Sequence, residues 1–230
     1  MKRLGIIVLL LASGWAVGQG INPGLQAYIN SRVSIPDDFV STWRTTADAE
    51  TITVPTRSGY AYDCTVDWGD GTVETLSGYD DAKWTHEYAT AGDYDVTISG
   101  TFETIYFNRG GDRLKLIAIP NLGSVGWKSL HEAFWGCENL LSVAGGDTSE
   151  VVSFRAALDN CYDLETVDTS GWDTSSVETF LVSFKRCWSL TSYMPPDKFW
   201  DRVPAVPEHR ECFYDATNIE NYADIPADWK

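Results

Sequence analysis

Positive charge is scarce in this sequence, and its scarcity excludes whole classes of partner. Lysine and arginine number 17 against 33 aspartates and glutamates, which leaves a net charge of −16. Because such a chain repels phosphate groups at long range, neither nucleic acid nor an anionic membrane surface is expected as a partner. Low-complexity tracts are also absent and 43% of the residues are hydrophobic, so the composition is that of a globular protein.

Long hydrophobic runs are scarce as well, with a single uncharged stretch from Leu4 to Val17. This stretch is shorter than the roughly 20 residues that a membrane-spanning helix requires. It follows the basic start Met1-Lys2-Arg3 and ends in Ala16-Val17-Gly18, an arrangement typical of a signal peptide. Residues 1–18 are therefore predicted to be a signal peptide, removed before Gln19, or a retained hydrophobic N-terminal anchor. The first interpretation, which we favour, places the protein outside the cytoplasm, either secreted or on a cell surface.

Catalytic and metal-binding signatures are missing too. The sequence contains no G-x-S-x-G elbow, no H-E-x-x-H helix, no phosphate-binding loop and no dinucleotide-binding glycine pattern, and it has only three histidines. Its five cysteines form no C-x-x-C pair, and their odd number argues against a complete disulfide framework. We therefore expect a protein without enzymatic activity, with no catalytic residues, no metal and no cofactor.

What the sequence does contain, from about residue 39 to residue 107, is a series of short alternating segments. Polar and apolar residues alternate in the manner of β strands at residues 51–54, 61–66, 72–76, 94–99 and 101–107. The stretch Trp68-Gly69-Asp70-Gly71 predicts a tight turn, because Asp-Gly supplies the positive φ that a hairpin needs. Several short strands at this spacing indicate an antiparallel β-sandwich.

Two further motifs follow the turn, namely His86-Glu87-Tyr88 and Ala91-Gly92-Asp93-Tyr94-Asp95-Val96-Thr97-Ile98. In this order the three motifs resemble the signature of PKD-type domains, although the tryptophan here directly precedes Gly-Asp-Gly. The resemblance implies an immunoglobulin-like sandwich that acts as a spacer or interaction module on exported proteins.

Three aspartates near this turn, Asp63, Asp67 and Asp70, raise the alternative of a calcium loop. They lack the alternate ligand positions and the terminal glutamate of such a loop, so we expect a turn held by Asx hydrogen bonds. His86 is expected to pack beside Tyr88 and not to act as a base.

From residue 113 onward the sequence repeats itself. The pattern apolar-x-x-Cys-x-x-Leu-x-x-apolar begins at Phe134, at Leu158 and at Phe184, and a variant with alanine for cysteine begins at Phe213. The leucine or isoleucine positions 116, 140, 164, 190 and 219 step by 24, 24, 26 and 29 residues. This period predicts a solenoid whose coils are stable only when they stack on one another.

Each repeat is predicted to contain a short helix before its cysteine motif. Val151, Phe154 and Leu158 have the i, i+3, i+7 spacing of an apolar helix face, and positions 177, 180 and 184 share it. Asp147-Thr148-Ser149 and Asp173-Thr174-Ser175 precede these segments as candidate N-caps.

The cysteines of the repeats are expected at equivalent inward positions on successive coils, occupied by Cys137, Cys161 and Cys187. Buried free thiols that pack as small hydrophobic groups are the favoured interpretation. A disulfide between neighbouring coils is the alternative.

A second resemblance is carried by residues 167–177, Val-Asp-Thr-Ser-Gly-Trp-Asp-Thr-Ser-Ser-Val, together with the motif at Phe184. These residues resemble the BspA-type leucine-rich-repeat surface proteins of bacteria and their phages, and the resemblance covers roughly the second half of the chain. It implies a short leucine-rich-repeat α/β solenoid with a role in attachment or adhesion. Ala216 and the prolines at 195, 196, 204 and 207 depart from the pattern, as is expected of an irregular C-terminal cap.

These expectations combine into a β-rich, two-domain protein. Its parts are a signal peptide or anchor at 1–18, a linker at 19–38, a PKD-like immunoglobulin-like β-sandwich at 39–108 and a leucine-rich-repeat solenoid at 109–230. The break between the domains is expected at Asn-Arg-Gly-Gly-Asp, residues 108–112.

The predicted function is surface binding or adhesion, with a protein or glycan on a cell surface as the partner. Two alternatives stay open. One is a bacteriophage virion component, such as a tail or head fibre or decoration protein that recognises a host. The other is a purely structural assembly protein that packs against copies of itself as a homo-oligomer.

The candidate ligand-binding residues are four aromatic side chains that each follow an inward phenylalanine or cysteine: Trp135, Tyr162, Trp188 and Tyr214. The neighbour of an inward residue tends to point elsewhere, so these side chains would form an exposed row suited to sugar rings or protein side chains. The favoured alternative is that they fill grooves between coils or cover the flank of the PKD-like domain, because large aromatics are usually buried.

Overall fold

The computed structural model describes residues 37–169, 171–191, 208–220 and 222–230. Residues 1–36, which include the predicted signal peptide and most of the predicted linker, lie outside the described residues. So do the four prolines between residues 195 and 207. Within the described ranges, no helix has the length and hydrophobicity that crossing a bilayer requires.

The predicted β-rich class is confirmed. The described ranges contain nine strands, β1 (Phe39–Thr45), β2 (Glu50–Thr53), β3 (Tyr62–Asp67), β4 (Val73–Ser77), β5 (Thr85–Tyr88), β6 (Gly92–Phe102), β7 (Leu116–Asn121), β8 (Ser142–Val143) and β9 (Thr166–Val167). Helical structure in the same ranges is limited to three short 3-10 helices, Ala82–Trp84, Tyr222–Asp224 and Ala227–Trp229.

Seven of the strands form one mixed sheet in the order β4-β3-β6-β1-β7-β8-β9, and β2 pairs with β5 in a separate two-stranded sheet. Strand β1 is antiparallel to β6, with Trp43 opposite Tyr94, and it is also antiparallel to β7. Strands β7, β8 and β9 then run parallel, with Ile119, Val143 and Val167 in register. The sheet therefore crosses the expected boundary at 108/109 without a break, and all described residues belong to one compact unit of the chain. The division into two domains stays a prediction.

Strand β6 differs from the expectation of two strands at 94–99 and 101–107. It is one strand that ends at Phe102, and the predicted strand to residue 107 is wrong. Gly100 lets the strand continue, because it has a φ of +99° and a Cβ there would lie 2.7 Å from the carbonyl oxygen of Asp63 on β3. Only glycine satisfies both conditions.

The turn after β3 has the predicted geometry. Gly71 has a φ of +96°, as the Asp-Gly pair requires. Carboxylate oxygens of Asp67 and Asp70 accept hydrogen bonds from the backbone N–H groups of Gly69 and Thr72, each at 2.9 Å. The predicted Asx hydrogen bonds are thus confirmed.

His86 packs as expected, between two aromatic rings. Its imidazole stacks on the indole of Trp68 at 5.0 Å between ring centroids and meets Tyr88 edge-on at 4.7 Å. Its Nε2 lies 2.8 Å from a carboxylate oxygen of Asp70. Burial raises the pKa of Asp70, but hydrogen bonds from His86 and Thr72 outweigh burial, so the pKa lies below its ordinary value.

The repeat segments are joined by a regular set of backbone hydrogen bonds. Alternate N–H groups of residues 154–160 donate to the carbonyl oxygens of Thr179, Leu181, Ser183 and Lys185 at 2.8–3.0 Å. Residues 180–186 donate in the same manner to residues 208–214, and residues 130–136 donate to residues 153–159. Each of these repeat segments therefore donates hydrogen bonds from alternate N–H groups to carbonyl oxygens of the segment that follows it in the chain.

The predicted short helices are wrong, since none lies at 151–158 or 177–184. Ala156 and Val182 have positive φ angles of 51° and 53°, which a right-handed helix excludes. Alternate N–H groups donate to the neighbouring segment, and those between them, such as Ala157 and Ser183, donate to the carbonyl three residues earlier, so no i→i−4 helical pattern forms. The apolar spacing still predicts burial correctly, because Val151, Phe154 and Leu158 are all buried.

The candidate N-caps form Asx hydrogen bonds without a helix. Carboxylate oxygens of Asp147 and Asp173 accept from the N–H groups of Ser149 and Ser175 at 3.0 and 2.9 Å. The two Asp-Thr-Ser turns are also linked, because the Thr148 hydroxyl donates to the carbonyl oxygen of Asp173 at 2.9 Å. The repeated turn thus stabilises the stacking of one segment on the next.

The prediction of buried free thiols is confirmed. All five cysteines are free and buried, and those of the repeat motif are fully inaccessible. The thiols of Cys161 and Cys187 lie 3.2 and 3.1 Å from the carbonyl oxygens of Phe134 and Leu158 in the preceding segment. Burial raises the pKa of both thiols well above its ordinary value, so they stay protonated as donors of these hydrogen bonds.

Candidate functional site

Two of the four candidate aromatic residues lie together on the flank of the repeats. Tyr162 and Trp188 follow Cys161 and Cys187, so they occupy the same position in neighbouring segments. Their rings stack in parallel at 4.3 Å between centroids, with an interplanar angle of 10°. Tyr162 is half-buried, whereas Trp188 is 46% exposed. We call this pair the Tyr162–Trp188 shelf.

The indole of Trp188 is held at its edge as well as on one face. Its Nε1–H donates to a carboxylate oxygen of Asp215 at 3.1 Å, and the side-chain amide of Asn218 donates to the Trp188 carbonyl oxygen. Because these partners fix the ring orientation, a ligand that stacks on the indole does not have to immobilise it.

The backbone of the shelf is fixed by the repeat itself. Cys187 anchors Trp188 from the interior through its contact with the Leu158 carbonyl oxygen. The N–H of Ser189 donates to the carbonyl oxygen of Tyr162 at 3.1 Å, and this backbone hydrogen bond links the two repeats beside the aromatic rings. The inward Cys187 on one side and this hydrogen bond between neighbouring repeats on the other leave the tryptophan pointing outward.

The other two candidates follow an inward phenylalanine and not a cysteine, so they lie in a different row. Tyr214 is 47% exposed, and the Lys185 ammonium lies 4.8 Å from the centre of its ring. Trp135 is half-buried, and the Arg109 guanidinium lies 5.6 Å from its ring centre. The structure therefore brings Tyr162 and Trp188 together in one stack and holds Tyr214 and Trp135 beside cationic side chains.

Asp215 and Asn218 are site residues that the sequence analysis missed. Both lie in the last repeat, on either side of Ala216 and Thr217. Acidic residues are common throughout this chain, and neither Asp215 nor Asn218 belongs to a recognisable motif, so nothing in the sequence singles out these two. Only the approach of one repeat segment to the next reveals their contact with Trp188.

Histidine–carboxylate pairs occur at separate places in the fold. His86 lies beside Asp70, His131 beside Glu132 at 3.2 Å, and His209 beside Asp228 at 2.8 Å. A hydrogen bond from His209 lowers the pKa of Asp228. The described part of the chain contains no group of three or more His, Cys, Asp or Glu side chains that could hold a metal ion.

An open groove lies near the junction of β1 and β7. Arg44, Lys115 and Asp163 contribute charge to its lining, and Leu114 and Leu141 contribute exposed apolar surface. The Lys115 ammonium is engaged by Glu50 at 2.9 Å and by Asp112 at 3.1 Å. Both carboxylates already pair with the Lys115 ammonium, so this lysine does not present a free positive charge to a ligand in the groove.

No protein-family model, no curated protein and no solved structure matches this chain.

Proposed function

We propose that this chain is a non-enzymatic binding protein that attaches to a protein or glycan on a cell surface. The observation that carries the proposal is the Tyr162–Trp188 shelf, where a large aromatic ring is exposed yet held in a fixed orientation. Exposed tryptophan lowers solubility, and rigid aromatic side chains at a surface are typical anchors of binding interfaces.

The architecture we propose for this role is a PKD-like, immunoglobulin-like β-sandwich that acts as a spacer and presents a leucine-rich-repeat solenoid. Support for the sandwich comes from the motif residues Trp68, His86 and Tyr88, whose rings pack together. Support for the solenoid comes from the parallel register of β7, β8 and β9, and from the hydrogen bonds that link successive repeats.

Display outside the cytoplasm is part of the proposal. The basic start and hydrophobic run at residues 1–18 support export. The thiols are compatible with an oxidising environment, because all five are buried and burial raises the pKa of Cys64 to about 11. A protonated, inaccessible thiol reacts slowly with oxidants.

The experiment is a saturation binding assay with the fluorescently labelled full chain on panels of bacterial and animal cells. We expect saturable binding to at least one cell type, competed by an excess of unlabelled protein. Binding that rises linearly with concentration on every cell type would contradict the proposal.

A further inference from the structure

The geometry of the Tyr162–Trp188 shelf points to a more specific ligand: we propose that it binds a neutral pyranose ring of a surface glycan. This inference rests on the proposed function and names the ligand class of the same site. Four observations carry it, namely the shape of the exposed surface, the polar groups at its edge, the charge around it and the mostly polar character of its described neighbours.

The shape of the exposed surface suits a flat ring. Tyr162 covers one face of the Trp188 indole, so the exposed area lies on the other face and the rim. In the following repeat the equivalent position is Thr217, which carries a short, exposed side chain in place of an aromatic ring, and Trp188 as a whole is 46% exposed. An exposed indole accommodates the C–H bonds of a pyranose, because its negative π face attracts their weakly positive hydrogens.

The edge of the shelf supplies the hydrogen-bonding groups that a sugar ring needs. One oxygen of Asp215 accepts the indole N–H, which leaves its second oxygen to accept from a hydroxyl. Asn218 lies beside it with its amide bound to the Trp188 carbonyl oxygen. A carboxylate and an amide at the rim of an aromatic ring complement the equatorial hydroxyl groups of a sugar stacked on that ring.

The charge around the shelf discriminates against acidic sugars. Asp163 follows Tyr162 in the chain, Glu165 follows soon after, and both are exposed, while Asp215 adjoins the indole itself. The chain as a whole carries a net charge of −16. A sialylated or sulfated glycan is repelled at this surface, whereas a neutral one is not.

The same surroundings disfavour a protein partner at this point. The hot spots of protein interfaces lie within a ring of neighbours that excludes water. The described neighbours of Trp188 in sequence and in the adjoining repeats are mostly polar or charged, and they include Asp163, Ser189, Asp215 and Thr217. A lone aromatic shelf in hydrophilic surroundings is better matched to a hydrated glycan.

The test combines a glycan array with titration of the full chain by neutral oligosaccharides. We expect binding to a subset of neutral glycans, with no binding to the sialylated or sulfated forms of that subset. Trp188→Ala is expected to weaken the affinity on the order of tenfold, the loss that accompanies truncation of an aromatic stacking partner. Trp188→Phe keeps a ring on Tyr162 and is expected to retain part of the affinity.

Two measurements separate a binding effect from a folding effect. Tyr79→Ala removes an exposed aromatic side chain far along the chain, near the end of β4, and is expected to leave glycan affinity unchanged. In ¹⁵N-labelled protein, the indole N–H signal that disappears in Trp188→Phe is expected to shift when the wild type is titrated with the glycan.

The outcomes distinguish this inference from the proposed function. Saturable binding to cells that neutral glycans do not compete, with Trp188→Ala as active as the wild type, overturns the glycan site and leaves the binding role intact. Absence of binding across the whole neutral array, or equal binding of acidic and neutral glycans, also overturns the glycan site. Lack of saturable cell binding overturns the proposed function itself.

Discussion

Asp159 is a buried acid among basic side chains, and its burial dominates its ionisation. The residue is 7% exposed, and its Oδ1 finds no hydrogen-bond donor among the described residues. Burial raises the pKa of this carboxyl group to about 6, although Lys185, Arg186 and Arg109 act in the opposite direction. Ionisation of the Asp159 carboxyl group therefore destabilises the folded state at neutral pH.

This cost predicts a pH-dependent effect of Asp159→Asn. The pKa of Asp159 in the folded state, about 6, is higher than the ordinary value of 3.8. The protonated carboxyl group therefore makes its full contribution to the free energy of unfolding below pH 3.8, and this contribution is lost as the pH rises through 6. Asp159→Asn is expected to raise the free energy of unfolding by on the order of 1–3 kcal/mol at pH 7.5, with the gain shrinking between pH 6 and pH 4. Urea denaturation at several pH values measures it.

The control for this substitution is Asp163→Asn, at an exposed position two residues after the inward Cys161. Its effect on the free energy of unfolding is expected to stay within about 0.5 kcal/mol. A destabilised Asp159→Asn at pH 7.5, or a gain that does not change with pH, would show that Asp159 is ionised at no cost in the folded protein.

At the scale of the elements, each repeat segment contributes one inward leucine or isoleucine to a continuous apolar column. Leu140, Leu164 and Leu190 are fully buried, and Ile219 continues the series. Phenylalanine rings stack at two further repeat positions, with Phe184 on Phe213 at 5.1 Å and Phe154 on Phe180 at 5.0 Å. Because each layer packs on the next, a cavity in one segment weakens its neighbours as well.

Truncation of the central leucine tests this packing. Leu164→Ala is expected to lower the free energy of unfolding by about 2–5 kcal/mol, because it removes buried methyl groups and leaves a cavity. Chemical denaturation monitored by circular dichroism provides the measurement. A matched control is Leu141→Ala, since Leu141 directly follows an inward leucine but is 45% exposed, and its loss is expected to be near zero. Equal effects at the two positions would mean that the repeat register is misassigned.

At the scale of the whole molecule, one aromatic core joins the first part of the chain to the repeats. The Trp127 indole is buried against Phe39 of β1 and Phe102 of β6, at 5.2 and 5.5 Å between ring centroids. Phe107 likewise lies 6.4 Å from Phe134 of the first repeat motif. The pairing of β1 with β7 runs through the same region.

This shared core predicts that the repeats depend on the β-rich part that precedes them. A fragment of residues 109–230 would lose the β1 partner of β7 and would expose Trp127 to water. We expect its free energy of unfolding to fall less steeply with denaturant concentration than that of the full chain. We also expect the fragment to bind a hydrophobic dye. If the fragment unfolds as cooperatively as the full chain and stays soluble, the dependence is wrong and the division at 108/109 separates two autonomous domains.

Local sequence was sufficient to predict the turn chemistry and the inward positions of the repeats. The Asp-Gly turn, the Asx hydrogen bonds of Asp67 and Asp70, and the burial of Cys161 and Leu164 were all correctly predicted. These features depend on the φ preferences of single residues and on a spacing within one repeat. Neither requires knowledge of which distant segment lies alongside.

The outward features of the site were only partly predictable. The position of Trp188 beside an inward cysteine made an exposed ring one candidate, but burial between coils was the favoured interpretation, and Trp188 is 46% exposed. Its partners Asp215 and Asn218 were not predictable, because they come from the next repeat across a segment of irregular length. The stacking of Trp188 on Tyr162 likewise depends on the offset between neighbouring repeats.

Only the tertiary structure decided the backbone conformation of the repeats and the continuity of the sheet. An i, i+3, i+7 spacing indicates a helix when a segment is considered alone, yet Val182 has a φ of +53°, which a β-branched residue disfavours by itself. Hydrogen bonds from Val182 and its alternate neighbours to residues 208–214 offset that cost. In the same way, the pairing of β1 with both β6 and β7 joins residues far apart in sequence. Sequence determined which residues face inward because that choice is local, whereas the partners of the backbone N–H groups depend on segments brought together only by folding.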